Sequence, residues 1–188
     1  MPSVAIVYHS GYGHTAGIAK SVAAGATSVP GTEVHLVAVE DYEAKAAVLD
    51  AADAIVFGSP TYMGSVSGPF KTFMDTSSKV WFGQGWKDKL AAGFTVSASQ
   101  SGDKLNTLIQ LSIFAAQHGM VWVGLGLLPG NNNSNGSTED LNRLGSFLGA
   151  MAQANADQGA DIVPPETDKR TAAHLGKRVA EAAARWKR

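Results

Sequence analysis

Five short apolar runs recur along this chain, and none of them forms a strand with one polar face. They are Val4–Tyr8 (VAIVY), Glu33–Val39 (EVHLVAV), Ala54–Gly58 (AIVFG), Lys89–Ser97 (KLAAGFTVS) and Met120–Gly126 (MVWVGLG). Longer stretches of helical character separate them: Ala16–Ala26, Ala44–Ala51, Pro69–Ser78, a segment starting at Lys104, and the tail from Asp168. In the fourth stretch, Leu105, Leu108, Ile109, Ile113 and Ala116 recur at helical spacing. Strands that show no half-polar face and alternate with helices need cover on both sides, which a parallel sheet provides. The expected fold is therefore α/β: a doubly wound five-stranded parallel sheet, order 2-1-3-4-5, with helices on both faces. In such a sheet, ligands bind beyond the carboxyl ends of the strands.

The 188 residues suit one domain, spanning 1–188, that buries roughly 70% of its unfolded surface. A formal charge of −1 gives no electrostatic pull toward nucleic acid. With no cysteine, the chain has no disulfides, thiolate chemistry or iron–sulfur ligation. Met1 runs almost directly into the first strand without a signal-peptide pattern, and no apolar run reaches the roughly 20 residues of a membrane span. A cytoplasmic protein without membrane insertion is expected.

The first strand leads into HSGYGHTAG (His9–Gly17), a glycine-rich turn at a helix start. Free N–H groups at such a junction point at whatever lies in front of them, and a phosphate is favoured there. Two readings compete. Gly11, Gly13 and Ala16 satisfy G-x-G-x-x-A, the dinucleotide fingerprint, for which Glu40 or Asp41 would hold a ribose. Ser10, Tyr12, His14 and Thr15 add hydroxyls and an imidazole that suit a terminal monophosphate.

Two further loops share the same rim. After the third strand, Ser59-Pro60-Thr61 sets a stiff turn, Tyr62 and Met63 offer flat or polarizable surface, and Gly64 and Gly68 allow close approach. After the fourth, SASQSGD (Ser97–Asp103) is a small-residue turn with free N–H groups. A cradle for one phosphate beside two ring-bordering loops fits FMN better than a dinucleotide, which leaves the third-strand loop unused.

Other chemistries fail on spacing. The histidines at 9, 14, 35, 118 and 174 form no H-x-x-x-H ligand pattern, so no metal is expected. Ser101-Gly102-Asp103-Lys104 matches S-x-x-K without its partner motifs, and GSVSG places Val66 where a nucleophile elbow has serine. PGNNNSNGST (Pro129–Thr138) reads as a surface connection. Trp81, in the glycine-punctuated KVWFGQGW, is unlike a bare core tryptophan and suits a site or subunit interface. His118 stands at a helix end, where an imidazolium would meet the dipole. Lys177, Arg178, Arg185, Lys187 and Arg188 read as the solvated face of the last helix.

The stretches YHSGYGHTAGIA, FGSPTYMGSVSGPFKTFMD, KVW and AAQHGM closely resemble the WrbA-type flavoproteins, FMN-dependent NAD(P)H:quinone oxidoreductases of the flavodoxin superfamily. The resemblance implies a flavodoxin-like fold, FMN as cofactor and NAD(P)H as electron donor. It further implies that Ser10, Gly11, Tyr12, Gly13, His14 and Thr15 cradle the FMN phosphate. Pro60, Thr61, Tyr62, Met63 and Gly64 border the isoalloxazine, and Val96, Ser97, Ala98, Ser99, Gln100, Ser101 and Gly102 skirt its pyrimidine side. Tyr12 meets the nicotinamide and Trp81 the quinone. Flavin chemistry needs no nucleophile, so no catalytic side chain is expected beyond assistance from Gln117 or His118.

The chain departs from the family's pattern in three places. The usual insertion after the second strand is missing, the loop after the fourth strand reads SASQSGD, and Gln117 replaces the first of two histidines before Gly-Met. The resemblance places that histidine near the flavin from a neighbouring subunit, so Gln117 is expected at the cofactor. A homodimer or homotetramer is expected. The expected activity is ping-pong transfer of two electrons from NAD(P)H to a quinone. The alternatives are a flavodoxin-like one-electron carrier or a low-turnover regulatory flavoprotein.

Overall fold

The computed structural model describes residues 1–186. The elements in chain order are β1 Ser3–Tyr8, α1 His14–Thr27, β2 Glu33–Ala38, α2 Tyr42–Ala51, β3 Ala54–Tyr62, β4 Ser65–Val66, α3 Gly68–Thr76, α4 Ser78–Phe82, β5 Leu90–Ser97, α5 Lys104–Gln117, β6 Val121–Trp122, β7 Ala150–Gln153 and α6 Glu166–Trp186. Val4 to Val7 are wholly buried, and Ala54 to Phe57 likewise, which is why these runs carry no polar face. β1 pairs in parallel with β2 (Ser3↔Glu33 to Tyr8↔Ala38) and with β3 (Val4↔Ala54 to Tyr8↔Gly58). β3 in turn pairs with β5 from Ala54↔Leu90 to Pro60↔Val96. The order β2-β1-β3-β5-β6 reproduces the expected flavodoxin-like winding.

The outermost position departs from expectation. Met120–Gly126 is not one strand: only Val121 and Trp122 pair with β5, opposite Leu90 and Ala91. The chain then leaves the sheet and returns as β7, which pairs with the other half of β5 from Phe94↔Ala150 to Ser97↔Gln153. One sheet position is thus filled by two short strands with residues 123–149 inserted between them. The excursion is held by Asn142, 3% exposed, which donates from Nδ2 to the Leu127 and Ser146 carbonyls at 3.2 and 2.9 Å. Asn142 Oδ1 accepts the Ser146 N–H at 2.9 Å, and Thr171 Oγ1 accepts the Asn142 N–H at 2.9 Å. Pro129–Thr138 belongs to this excursion and is mostly exposed.

A second correction concerns Ser59-Pro60-Thr61, which continues β3 instead of turning. Extended backbone is what proline imposes on the residue before it, and Ser59 pairs with Thr95. The turn comes later, at Met63 and Gly64 (φ 50° and 76°), two residues with positive φ that join β3 to the antiparallel β4.

Each face of the sheet carries its own core. One lies beneath α1 and α6 and includes Ile18, Val22, Leu175 and Val179. The other lies beneath the remaining helices and centres on Phe57, Phe70, Phe73, Trp86 and Phe114, with Trp86 stacked on Phe73 at 6.4 Å. α5 buries Leu108, Leu111, Phe114 and Ala115, whereas Leu105 and Ile113 are 55% exposed and Ile109 is 38% exposed. The helical spacing of these residues is present, but of them the sheet takes only Leu108, in a stripe continued by Leu111, Phe114 and Ala115. Lys187 and Arg188 lie outside the described residues. Among the described residues, no helix is long and apolar enough to cross a membrane.

Candidate functional site

All sheet strands except the β4 hairpin run the same way, so the segments after β1, β3, β5 and β7 emerge on one rim. At β1 the chain is anchored by the His9 N–H donating to the Gly58 carbonyl at 3.0 Å. It then turns through Gly13, whose φ of 88° suits glycine, into α1. The Ser10 hydroxyl accepts the Ala16 N–H at 3.1 Å and the Gly13 carbonyl accepts that of Gly17 at 3.0 Å. Among the described residues, no acceptor meets the N–H groups of Gly11 to Thr15. Those donors are what a terminal phosphate would take up.

The turn opens into a cavity of about 580 Å³. Tyr12, His14 and Thr15 line it from the β1–α1 junction, Pro60, Thr61 and Tyr62 from β3, and Val96, Ser97 and Ala98 from the end of β5 and the loop after it. Tyr12 and Tyr62 meet edge-on at 6.4 Å and are 79% and 38% exposed, so they form an aromatic corner open to solvent. Burial, with Tyr12 as a second cause, raises the Tyr62 phenol above its usual pKa. A Cβ on Gly11 would lie 2.8 Å from the Tyr62 hydroxyl, so a larger residue here would displace the end of the Tyr62 side chain. Thr61 lines the cavity, but its Oγ1 is 2.8 Å from the hydroxyls of both Thr95 and Thr107, an inward network that fixes the end of β3.

The structure also brings in residues that the sequence reading missed. Ala154, Ala156, Gln158 and Gly159, which follow β7, close the cavity's fourth side. The Gln158 carbonyl accepts His14 Nε2–H at 2.9 Å, which ties the two loops together and commits that nitrogen to protein rather than to a ligand. Only the small-residue turn NADQG in their sequence could have marked them, and without β7 it had no strand to follow.

Other expected residues fall elsewhere. Met63 and Gly64 form the exposed hairpin tip, where the Gly64 carbonyl accepts from Asn106 Nδ2 at 2.6 Å. Ser99 to Gly102 continue the β5 loop, but Gln100 and Ser101 line an adjoining groove beside Leu105, Ile109 and Phe147. Glu40 does not line the cavity; its Oε1 lies 3.7 Å from His9 Nε2, and His9 Nδ1 is 2.8 Å from the fully buried Ser67 hydroxyl. Neither Glu40 nor Asp41, the acids required by the dinucleotide reading, faces the cradle cavity.

Trp81, Gln117 and His118 gather in a separate hollow of about 530 Å³, with Ser77, Phe114 and Lys71. Within one chain they do not line the cradle cavity. His118 is 4% exposed, with Nε2 3.0 Å from the Ser77 hydroxyl and its ring 4.5 Å from that of Trp86. Burial pushes its pKa down to about 4, so the ring at the end of α5 is neutral, not the cation expected there. The unfolded chain takes up this proton near pH 6.5, the folded chain only near 4. The unfolded state therefore binds more protons in between, and stability is lost as pH falls through that window. Urea unfolding at pH 7 and pH 5 is expected to show a drop in stability that is smaller in His118→Gln. His174, depressed mainly by burial, accounts for a remaining share.

The chain is similar to known flavoproteins in sequence and in structure. A family profile described as NADPH-dependent FMN reductase matches residues 10–135. The chain is 42% identical to "Flavodoxin FldP" of Pseudomonas aeruginosa, over 94% of this chain and 96% of that one. It is 32% identical to an "NAD(P)H dehydrogenase (quinone)" of Archaeoglobus fulgidus, over 97% and 98% of the two chains. A solved WrbA-like flavodoxin from Agrobacterium tumefaciens superposes with a TM-score of 0.77 at 41% identity, covering 98% of this chain and 99% of that one.

Proposed function

This chain belongs to the NADPH-dependent FMN reductase family, and from that premise we propose that it is an FMN-dependent NAD(P)H:quinone oxidoreductase. The observation that carries the reading is the unpartnered run of N–H groups from Gly11 to Thr15, opening beside the Tyr12–Tyr62 corner. Donors for a phosphate lie next to flat aromatic surface, and the second-strand acids of a dinucleotide site do not line the cavity. The residues present fit FMN.

Bound FMN supplies two-electron chemistry, carrying a hydride equivalent from NAD(P)H to a quinone. The amides of Gly11 to Thr15 and the Thr15 hydroxyl would hold the phosphate, favoured by the positive end of α1. Tyr62 and Thr61 would border the ring on one side, and Ser97 and Ala98 at the start of the 97–102 loop on the other. Tyr12, largely exposed, is placed to meet the planar group of an incoming donor or acceptor. Trp81 and Gln117 line a hollow apart from the cradle cavity, and we read them as meeting the flavin of a second subunit, with a homo-oligomer as the working form. The exposed Leu105, Ile113 and Phe82 supply apolar surface for that contact.

A second reading, a one-electron carrier, is favoured by the name of the Pseudomonas relative. A net charge of −1 gives little of the acidic field that steers a carrier to its partners. The test is FMN uptake followed by NADH or NADPH oxidation with benzoquinone. Rapid oxidation that depends on FMN and quinone is expected. A preparation that takes up no FMN would overturn the reading. FMN uptake without turnover would favour the carrier.

A further inference from the structure

We propose that Lys104 is a positioning residue of the flavin site: its buried ammonium fixes the 97–102 loop with amides turned outward and sets a positive charge behind the edge they present. This inference rests on the FMN reading above.

Lys104 opens α5 and is 1% exposed, an uncommon place for a lysine. Its Nζ donates to Ser97 Oγ at 2.7 Å, to the Ser99 carbonyl at 2.8 Å and to the Gln100 carbonyl at 2.8 Å. An ammonium has three N–H donors, so all are used, and none of the acceptors is a carboxylate. The loop is wrapped around a cation that no contacting group neutralises.

Two consequences follow from that wrapping. A trans peptide holds its C=O and N–H on opposite sides of one plane. With the Ser99 and Gln100 carbonyls drawn onto Lys104, the N–H groups of Gln100 and Ser101 point away from it. Among the described residues, no acceptor meets the N–H groups of Ala98 to Gly102. The lysine thus makes the loop an array of outward donors that starts at Ala98 in the cradle cavity and runs on through Gln100 and Ser101 along the adjoining groove. Such donors are what a ring edge that gains negative charge on reduction requires.

The second consequence is electrostatic. The charged groups acting on Lys104 are Asp168 of α6 and Arg143 of the inserted segment, with opposite signs. They are paired with each other, Arg143 Nε and Nη2 donating to the two Asp168 oxygens at 2.8 and 2.9 Å. Their effects on Lys104 oppose, which leaves one positive charge in excess. Burial lowers the lysine's pKa to about 8. Negative charge arriving in front of the loop on reduction would be met by this cation, so reduced FMN gains more from Lys104 than oxidised FMN does.

The experiment compares holoprotein with Lys104→Met, reading oxidised FMN affinity by fluorescence quenching and the two-electron midpoint potential by anaerobic dye equilibration. The expected result is a midpoint lower by about 30 mV or more, equivalent to reduced FMN losing tenfold more affinity than oxidised FMN. A loop that merely loses shape would weaken both states alike, and an unmoved midpoint overturns the proposal. Should the variant not fold, the wild-type midpoint between pH 7 and 9.5 decides. A steeper fall setting in near pH 8, where the oxidised protein begins to lose the Lys104 proton, is expected. A slope unchanged across that range overturns the proposal while the FMN reading stands. Failure of wild type to take up FMN at all overturns both.

Discussion

Replacing Ser10 and Thr15 together by alanine is expected to weaken FMN binding by about 3–6 kcal/mol, roughly two to four orders of magnitude in dissociation constant. Each hydroxyl would donate to a charged phosphate, and such bonds contribute about 1.5–3 kcal/mol apiece. Thr15 is 2% exposed and lines the cavity beside the unpartnered amides, which is where its hydroxyl would meet the phosphate. Ser10 accepts the Ala16 N–H at 3.1 Å, which orients its oxygen and leaves its own O–H free to donate. Losing that acceptor also frays the first turn of α1, and this adds to the effect. Fluorescence titration of the apoprotein with FMN measures it. An affinity within threefold of wild type would place the phosphate elsewhere.

Asp168→Ala is expected to cost about 3–5 kcal/mol of folding stability, the usual consequence of removing one partner of a buried ion pair. Asp168 is 2% exposed and accepts three hydrogen bonds: two from Arg143, at 2.8 and 2.9 Å, and one from the Gln153 N–H at 2.9 Å. Without the carboxylate, Arg143 keeps its charge in a nearly dry setting, and the start of α6 loses its hold on β7. Gln153 also donates from Nε2 to the Ala98 carbonyl at 3.2 Å, so the disturbance reaches the cavity wall. Urea unfolding monitored by tryptophan fluorescence gives the loss directly. A loss below 1 kcal/mol would mean that water reaches Arg143 readily and that the pair is not structurally required.

The parts of the fold that could be read from sequence are those where one local pattern settles the outcome. Val4–Val7 and Ala54–Phe57 are buried on both faces, so their unbroken apolar character carried the parallel sheet. The cradle was legible because a strand, two glycines and a helix start lie within a dozen residues. β7 was not. Ala150–Gln153 is four residues long, and it is a strand only because Phe94–Ser97 offers it an open edge after the chain has wandered through 123–149. The loop that follows, with Gln158, was lost with it. Ser59-Pro60-Thr61 was misread because proline suits turns and extended edges alike, and the pairing with β5 decides. Lys104 carries no signal for this role beyond an S-x-x-K match that points to other chemistry. Its role arises from carbonyls that turn toward it only once the loop is folded, and nothing in SASQSGDK reports that.

The divided outer position of the sheet bears on how the molecule behaves in a crowded solution. A long outer strand offers a ladder of unsatisfied amides on which a neighbour can dock and propagate. Here that ladder is cut into a two-residue and a four-residue rung set with an excursion between them. A second chain cannot zip along it in register, so this flank is guarded against fibril-like growth by its own discontinuity.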